Sequence, residues 1–282
     1  MSSPNLNPGG PMRPLSIGNV VSASFRLYSS HLKQYFGIAL KAYFWLIVPV
    51  YGWAKYSALS ALISRLAFGE LVNQPESASI AHQRTNARMW SFLAAGLLVG
   101  LIALGVILGC TLVLGLVIGI LVIFISGVLG SGGLAAIAGT VIGVIALVAF
   151  IVALLWVSSR FLVVEVPLAI EDNMDATKAI SRSWDLSKGL VWQIVGVVSV
   201  AFLITIPIQI LFQVVISVLQ AVLAQDPLTT SALLTFVLSL LIVSLSFVSG
   251  AIVMPFWQAL KAVVYYDLRS RREGLGLKLR DR

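Results

Sequence analysis

The chain has 282 residues, of which 59% are hydrophobic and only 11% charged, with a formal net charge of +8 and a mean hydropathy of +0.99. A soluble domain carries about a quarter charged residues, so a water-solvated core is excluded and the fold class is an all-α integral membrane protein. The positive charge gathers at the chain ends and between apolar tracts, a pattern of membrane orientation and headgroup contact that makes nucleic acid an unsuitable partner.

Residues 1–14 hold Pro4, Pro8, Pro11 and Pro14 among Ser, Asn and Gly, too little apolar surface to offset ordering entropy. A disordered N-terminal tail is expected there, followed by a helical membrane domain over 15–266 and a basic C-terminal tail over 267–282. From Leu15 to Phe36, the residues Ile17, Val21, Phe25, Tyr28 and Leu32 share one helical face, flanked by Arg26, His31 and Lys33. Such a segment suits the membrane interface, apolar side down.

The tract at 35–71 is apolar but carries Lys41, Lys55 and Arg65 and is broken by Pro49 and Gly52. It reads either as one kinked crossing or as a hairpin turning at Pro49–Gly52. In a hairpin each arm has about 13 residues, or roughly 20 Å of helix, which dips into the bilayer without comfortably crossing it. Lys55 must then snorkel or line a polar cleft.

Between Arg88 and Arg160 there is no Asp, Glu, Lys, Arg or His. As one helix this run would be roughly 100 Å long, far beyond a hydrocarbon core of about 30 Å. The cluster Ser126, Gly127, Gly130, Ser131, Gly132 and Gly133 supplies the break, giving a hairpin at 90–157 whose first arm must tilt, kink near Gly109 or extend past the headgroups. Gly96 and Gly100, Gly105 and Gly109, Gly115 and Gly119, and Gly139 and Gly143 stand four apart and suit close helix packing, within the chain or between two copies. Cys110 lies inside this tract and, as the single cysteine, forms no intrachain disulfide; it reads as a small packing residue.

The last hairpin, 190–266, turns at Gln225, Asp226 and Pro227 and carries Pro207 and Pro255 as expected kinks. Gln209 and Gln213 stand one turn apart after Pro207, while Gln258 and Lys261 follow Pro255. Polar groups at such positions either line a pathway or hydrogen-bond between helices. Lys41, Lys55, Arg65 and Lys261 either touch lipid phosphates or snorkel.

Lys and Arg number three in the N-terminal region, two in 69–88, four in 160–188 and six in the tail, with none at the glycine or Asp-Pro turns. Reading 35–71 as a hairpin puts all four segments on one face, the cytoplasmic one, with both termini there. The expectation is therefore about six membrane segments as three hairpins. Internal similarity extends this: from Arg26 aromatics follow at plus two and plus ten, Tyr28 and Phe36, and from Arg182 the same offsets give Trp184 and Trp192. Each hairpin is accordingly preceded by an interfacial amphipathic elbow helix.

Three stretches, RPLSIGNVV from Arg13, PLAIEDNMDATKAISRSWDLSKG from Pro167 and YYDLRSRREG from Tyr265, resemble the membrane domain found fused to, or separate from, bacterial glycerophosphoryl diester phosphodiesterases. The Leu15–Val72 region looks like a cyanobacterial branch of that family. The resemblance implies a multi-pass domain of unassigned biochemical role, in a bacterial plasma membrane or a thylakoid.

The paired histidines and carboxylate metal site of the phosphodiesterase barrel have no counterpart here. His31 and His82 lie in different segments without acidic neighbours at ligand spacing, and no phosphate loop, dinucleotide fingerprint or nucleophile elbow occurs. No catalytic, cofactor or metal residues are assigned. Asp175 with Lys178 and Asp185 with Lys188 are spaced to pair along a helix. The expected function is a non-enzymatic scaffold or accessory factor contacting lipids or other integral membrane proteins through Arg26, Lys33, Arg182, Lys188, Lys261, Arg269 and Arg271. The alternative is a lipid or small-solute transporter with a cleft at Pro207, Gln209, Gln213, Pro255 and Gln258.

Overall fold

A computed structural model describes residues 16–130, 132–224 and 231–274. The described residues form ten helices: α1 (Ile17–Ser30), α2 (Leu32–Trp45), α3 (Tyr51–Leu71), α4 (Ala78–Ala87), α5 (Met89–Leu129), α6 (Gly133–Phe161), α7 (Glu165–Ile170), α8 (Ala176–Ser187), α9 (Val191–Leu223) and α10 (Ala232–Glu273). The expected N-terminal tail and the Asp-Pro turn lie outside the described residues.

Four helical stretches are long and apolar enough to cross a membrane: 89–128, 136–170, 191–223 and 232–273. Their outward faces are bare of protein over long runs, from Leu97 to Phe124 on α5, Leu134 to Val152 on α6, Phe202 to Val222 on α9 and Leu233 to Val243 on α10. Apolar surface on this scale has no place in water. The chain is a helical membrane protein.

The turn between α5 and α6 falls at the glycine cluster, where Gly130 has φ 71°, and α5 runs unbroken past Gly109. The tract at 35–71 is a pair of antiparallel helices, since Tyr43 faces Tyr56 at 5.4 Å and His31 approaches Glu70 at 3.6 Å. Their turn is tight: Tyr51 N–H donates to the Pro49 carbonyl at 2.7 Å around Val50, which holds φ 61°. A β-branched residue at positive φ is strained, and a side chain at Gly52 would lie 1.8 Å from the Trp45 carbonyl oxygen. Around this tip Phe44, Trp45, Ile47, Val48, Val50, Tyr51 and Trp53 are all exposed. Lys55 donates to Asn86 at 2.5 Å beneath the rings of Trp45 and Tyr51.

The elbow positions before the three helix pairs are filled by α1, α4 and α8, each opened by a side-chain cap from Ser16, Ser77 and Asp175 respectively. The buried side of α1 differs from the expected stripe. Val20, Val21, Ser24 and Tyr28 turn inward against α9 and α10, while Phe25 and Leu32 are exposed. The Tyr28 hydroxyl donates to the Ile252 carbonyl at 3.0 Å, so α1 is docked on protein along this face, because α10 offers a better apolar partner than the interface does. His31 separates α1 from α2, and the expected single segment is two helices.

The core gathers on the C-terminal half of α10. Ala251, Phe256, Ala259, Leu260, Ala262, Val263, Val264, Tyr265 and Leu268 are buried there against α1, α2, α3 and α9. The helix continues through Asp267 to Glu273, so residues 267–273, assigned above to the tail, are its final turns.

Among the described residues, the glycine pairs make no close approach within the chain. A methyl group at Gly96, Gly100, Gly105, Gly109, Gly115, Gly119 or Gly143 would meet nothing within 4 Å, and at Gly139 only Val122 at 3.9 Å. Close approach occurs instead at Gly250, where an added Cβ would lie 2.2 Å from the Tyr43 ring. Gly250→Ala is therefore expected to cost about 1–3 kcal/mol by overpacking and to lower the thermal unfolding midpoint in mild detergent. Gly109→Ala should leave that midpoint unchanged, and equal effects of the two would contradict this packing.

Candidate functional site

At the charged end of the molecule α7, α8 and the end of α10 are tied together around Glu171. Its carboxylate accepts from Arg182 at 3.2 Å and from the Tyr265 hydroxyl. Arg182 also reaches Glu273 at 2.5 Å, and Glu273 accepts from Arg269 at 2.9 Å, one turn earlier on α10. Arg272 donates to the carbonyls of Leu186 and Lys188 at the end of α8, where the macrodipole is negative. Lys261 donates to Glu165 at 2.9 Å, and Arg271 pairs with Asp267 at 2.8 Å.

Five of the seven proposed contact residues, Arg182, Lys188, Lys261, Arg269 and Arg271, are thus engaged with carboxylates of their own chain. Arg26 and Lys33 are exposed. The two helical pairs expected from spacing form, Asp175 with Lys178 at 3.4 Å and Asp185 with Lys188 at 2.7 Å. The Asp175 carboxyl is held below its usual range, first by the Lys178 backbone N–H that it caps. Arg160 lies between the Trp156 and Trp184 rings, 4.9 and 4.5 Å from their centres, and its Nη1 contacts Ser187 at 3.3 Å.

The intramembrane polar positions separate into two groups. Gln209 and Gln213 line a cleft of about 480 Å³ with Tyr43, Tyr56, Ser246 and Trp257. This cleft lies between the α2–α3 pair and the α9–α10 pair, and Gln213 is otherwise bonded only to Ser217, at 3.5 Å. Pro207, two residues before Gln209, has no N–H for the Leu203 carbonyl, yet α9 stays helical throughout. Gln258 belongs elsewhere: it is 4% exposed and accepts from Ser64 at 2.6 Å, a clasp between α3 and α10. Pro255 is buried in the same contact, and Lys261 is drawn to Glu165 rather than into the cleft. Tyr43 and Tyr56, which complete the cleft, carried no signal in the sequence beyond aromaticity.

A second cavity, of about 410 Å³, is lined by Arg65, Arg84, Arg88, Phe92 and Asp172. Arg65 donates from Nε to Glu76 at 2.6 Å and from Nη1 to the Ala169 carbonyl. Arg88 donates from Nη1 to the carbonyls of Leu168 at 3.2 Å and Glu171 at 2.7 Å. These carbonyls lie at the end of α7, where helix geometry leaves them without partners. Among the described residues no group of three or more His, Cys, Asp and Glu is placed to hold a metal.

These helices place the comparison with known proteins. Residues 134–273 match the membrane domain of glycerophosphoryl diester phosphodiesterase. The match to this membrane-domain family runs from the start of α6 to the end of α10 and takes in the Glu171 network, both glutamines of the cleft and the Gln258 clasp. It is a match to a membrane domain. No curated protein and no solved structure matches the chain.

Glu273 sets a pH dependence. Burial raises its carboxyl, but bonds from Arg269 and Arg182 outweigh that and hold it below its ordinary 4.5. A depressed carboxylate stabilises the fold above its unfolded value, and that contribution is lost as pH falls through the lowered one. At neutral pH Glu273→Gln should cost at most about 1 kcal/mol after solvent screening. The gap in unfolding midpoint between the variant and the parent should close as pH falls below 4.5; a gap independent of pH would contradict the assignment.

Proposed function

We propose that the protein is a non-enzymatic membrane accessory factor that engages lipids, arranged as three hairpins of which α5–α6 and α9–α10 cross the bilayer and α2–α3 dips into one leaflet. The observation that carries this is the cleft beside the α2–α3 tip. Its glutamines and tyrosines give polar anchors, Trp257 and Phe212 give apolar walls, and the neighbouring faces of α9 and α10 are exposed and apolar. Such an opening suits an amphipathic ligand arriving from the bilayer rather than a solute from water.

The dip is supported by the length of α2 and by the charges of α3, which carries Lys55, Arg65 and Glu70. The 14 residues of α2 make about 21 Å of helix, short of a core of about 30 Å. Its aromatic tip is suited to lipid, while Lys41 remains exposed. By the positive-inside rule the charged end faces the cytoplasm with both termini. Contacts to membrane-protein partners fall to Arg26 and Lys33, since the remaining basic candidates have partners within the chain.

Transport is the second reading, favoured by Gln209 and Gln213 facing one cleft at a proline-bearing stretch of α9. Substrate-dependent flux in liposomes that disappears with Gln213→Leu would establish it in place of the accessory role.

Insertion of the hairpin gives a direct test. In liposomes with brominated acyl chains, Trp45→Phe plus Trp53→Phe should remove a clear share of the quenchable tryptophan fluorescence, and a reporter at Gly132 should read as periplasmic or lumenal. A tip left unquenched, or cytoplasmic activity at Gly132, would refute the arrangement.

A further inference from the structure

The cavity between α3, α4, α5 and α7 is distinct from the cleft and has a different chemistry. Three guanidiniums, those of Arg65, Arg84 and Arg88, line it together with one carboxylate, Asp172, and the Phe92 ring. Each arginine is held in a way that leaves donors open. Arg65 uses Nε and Nη1, Arg88 hydrogen-bonds through Nη1 with Nη2 3.8 Å from Asp172, and Arg84 makes only a 3.4 Å contact from Nε to Glu76. The α7 carbonyls fix the Arg65 and Arg88 planes, so their remaining N–H groups are oriented in advance. Oriented guanidinium forks are the groups that bind tetrahedral oxyanions best.

The depth of the cavity identifies the oxyanion's setting. Arg88 is the last charge before the uncharged run of α5 and α6. Two residues on, Trp90 is 52% exposed, and the exposed apolar face of α5 starts at Leu97. Trp90 lies about 3 Å along the helix from Arg88, and an exposed Trp favours the headgroup level, which puts the guanidiniums beside the headgroups. Ile80 on α4 is exposed as well, an apolar contact for the same interface.

We infer that the Arg65–Arg84–Arg88 cavity is a binding site for a phosphate group, that of an anionic phospholipid headgroup at the cytoplasmic interface. With three guanidiniums against Asp172 and the neighbouring Glu76, the site keeps a net charge of +1 and prefers an anionic to a zwitterionic lipid. Asp172, whose side chain is 99% exposed and 3.8 Å from Arg88, stands at the rim to accept hydrogen bonds from headgroup hydroxyls. The inference rests on the lipid-engaging reading above but uses none of the cleft residues, so the two are tested apart.

The test is native mass spectrometry of the full chain in mild detergent, titrated with phosphatidylglycerol, with phosphatidylcholine and with inorganic phosphate. Phosphatidylglycerol should be retained in clear preference to phosphatidylcholine, and Arg84→Gln should lower its retention by about threefold to tenfold. Arg84 is 63% exposed, so this variant is expected to fold, and Arg84→Lys should restore part of the loss. Lys178→Gln, a change to a lysine on α8 whose side chain is 62% exposed, should have no effect. Displacement by millimolar inorganic phosphate without any preference among lipids would assign the same oxyanion site to a free phosphate. Retention unchanged in Arg84→Gln, or lowered equally by Lys178→Gln, overturns the site. Loss of lipid in Gln213→Leu with retention intact in Arg84→Gln would instead leave the cleft standing and remove this cavity.

Discussion

Burial of the C-terminal half of α10 is the interaction on which the remaining architecture depends. Between Ala251 and Leu268 this helix is wrapped by α1, α2, α3 and α9. Helices in lipid gain little from leaving the hydrocarbon, so they associate through close packing and hydrogen bonds. Small residues give the approach here, with Ala251, Ala259 and Ala262 fully covered and Gly250 beneath the Tyr43 ring. Two polar clasps lock the register, Ser64 to Gln258 and Tyr28 to the Ile252 carbonyl. The short α2–α3 pair, with Lys41, Lys55 and Arg65, is thereby held on a longer helix that does cross.

Charge follows the same division. The ionisable groups that join separate elements lie where α3, α4, α7, α8 and α10 meet, and they are paired. Glu171 joins α8 and α10, Glu165 reaches α10 and Glu76 holds Arg65. A partly buried pair of this kind adds little net stability over apolar packing but is costly to break on one side. Its consequence is rigidity at the charged end, and it withdraws most of the basic residues from outside contact. Among the described residues, Arg26 on α1 and Lys33 and Lys41 on α2 are exposed, and Arg84 on α4, 63% exposed, makes only the contact to Glu76.

The features visible in the sequence are those set by neighbours along the chain. The turns at Pro49–Gly52 and at the glycine cluster are local, as are the pairs of Asp175 with Lys178 and Asp185 with Lys188, and each forms where spacing places it. Partner choice between distant helices is not local. The buried face of α1 takes in Val20 and Ser24 and leaves out Phe25, because α10 offers close packing and a hydrogen bond that lipid does not. Gln258 and Gln213 carry the same side chain on proline-bearing helices, yet one meets Ser64 and the other an open cleft. Arg65 and the Ala169 carbonyl are 104 positions apart, a separation at which periodicity carries no information. The glycine pairs are limited for a related reason: four-residue spacing states that a smooth face exists, not that a helix lies against it.

The dipping helix α3 relates the two cavities. Tyr56 lines the cleft and Arg65 lines the arginine cavity. Nine residues apart, they are separated by about 13 Å along the axis and two and a half helical turns, hence by opposite faces of the helix. One lipid cannot occupy both, because α3 stands between them. The axial offset is close to half of a hydrocarbon core of about 30 Å, so a ligand at Tyr56 sits at acyl-chain depth when one at Arg65 sits at phosphate depth. A helix that crossed the whole bilayer at this position would bury Arg65 or expose Tyr56 to the far leaflet. Arg65 and Glu70 toward one end of α3 and Trp53 and Tyr56 toward the other accordingly suit two depths, charge beside headgroups and aromatic rings toward the chains.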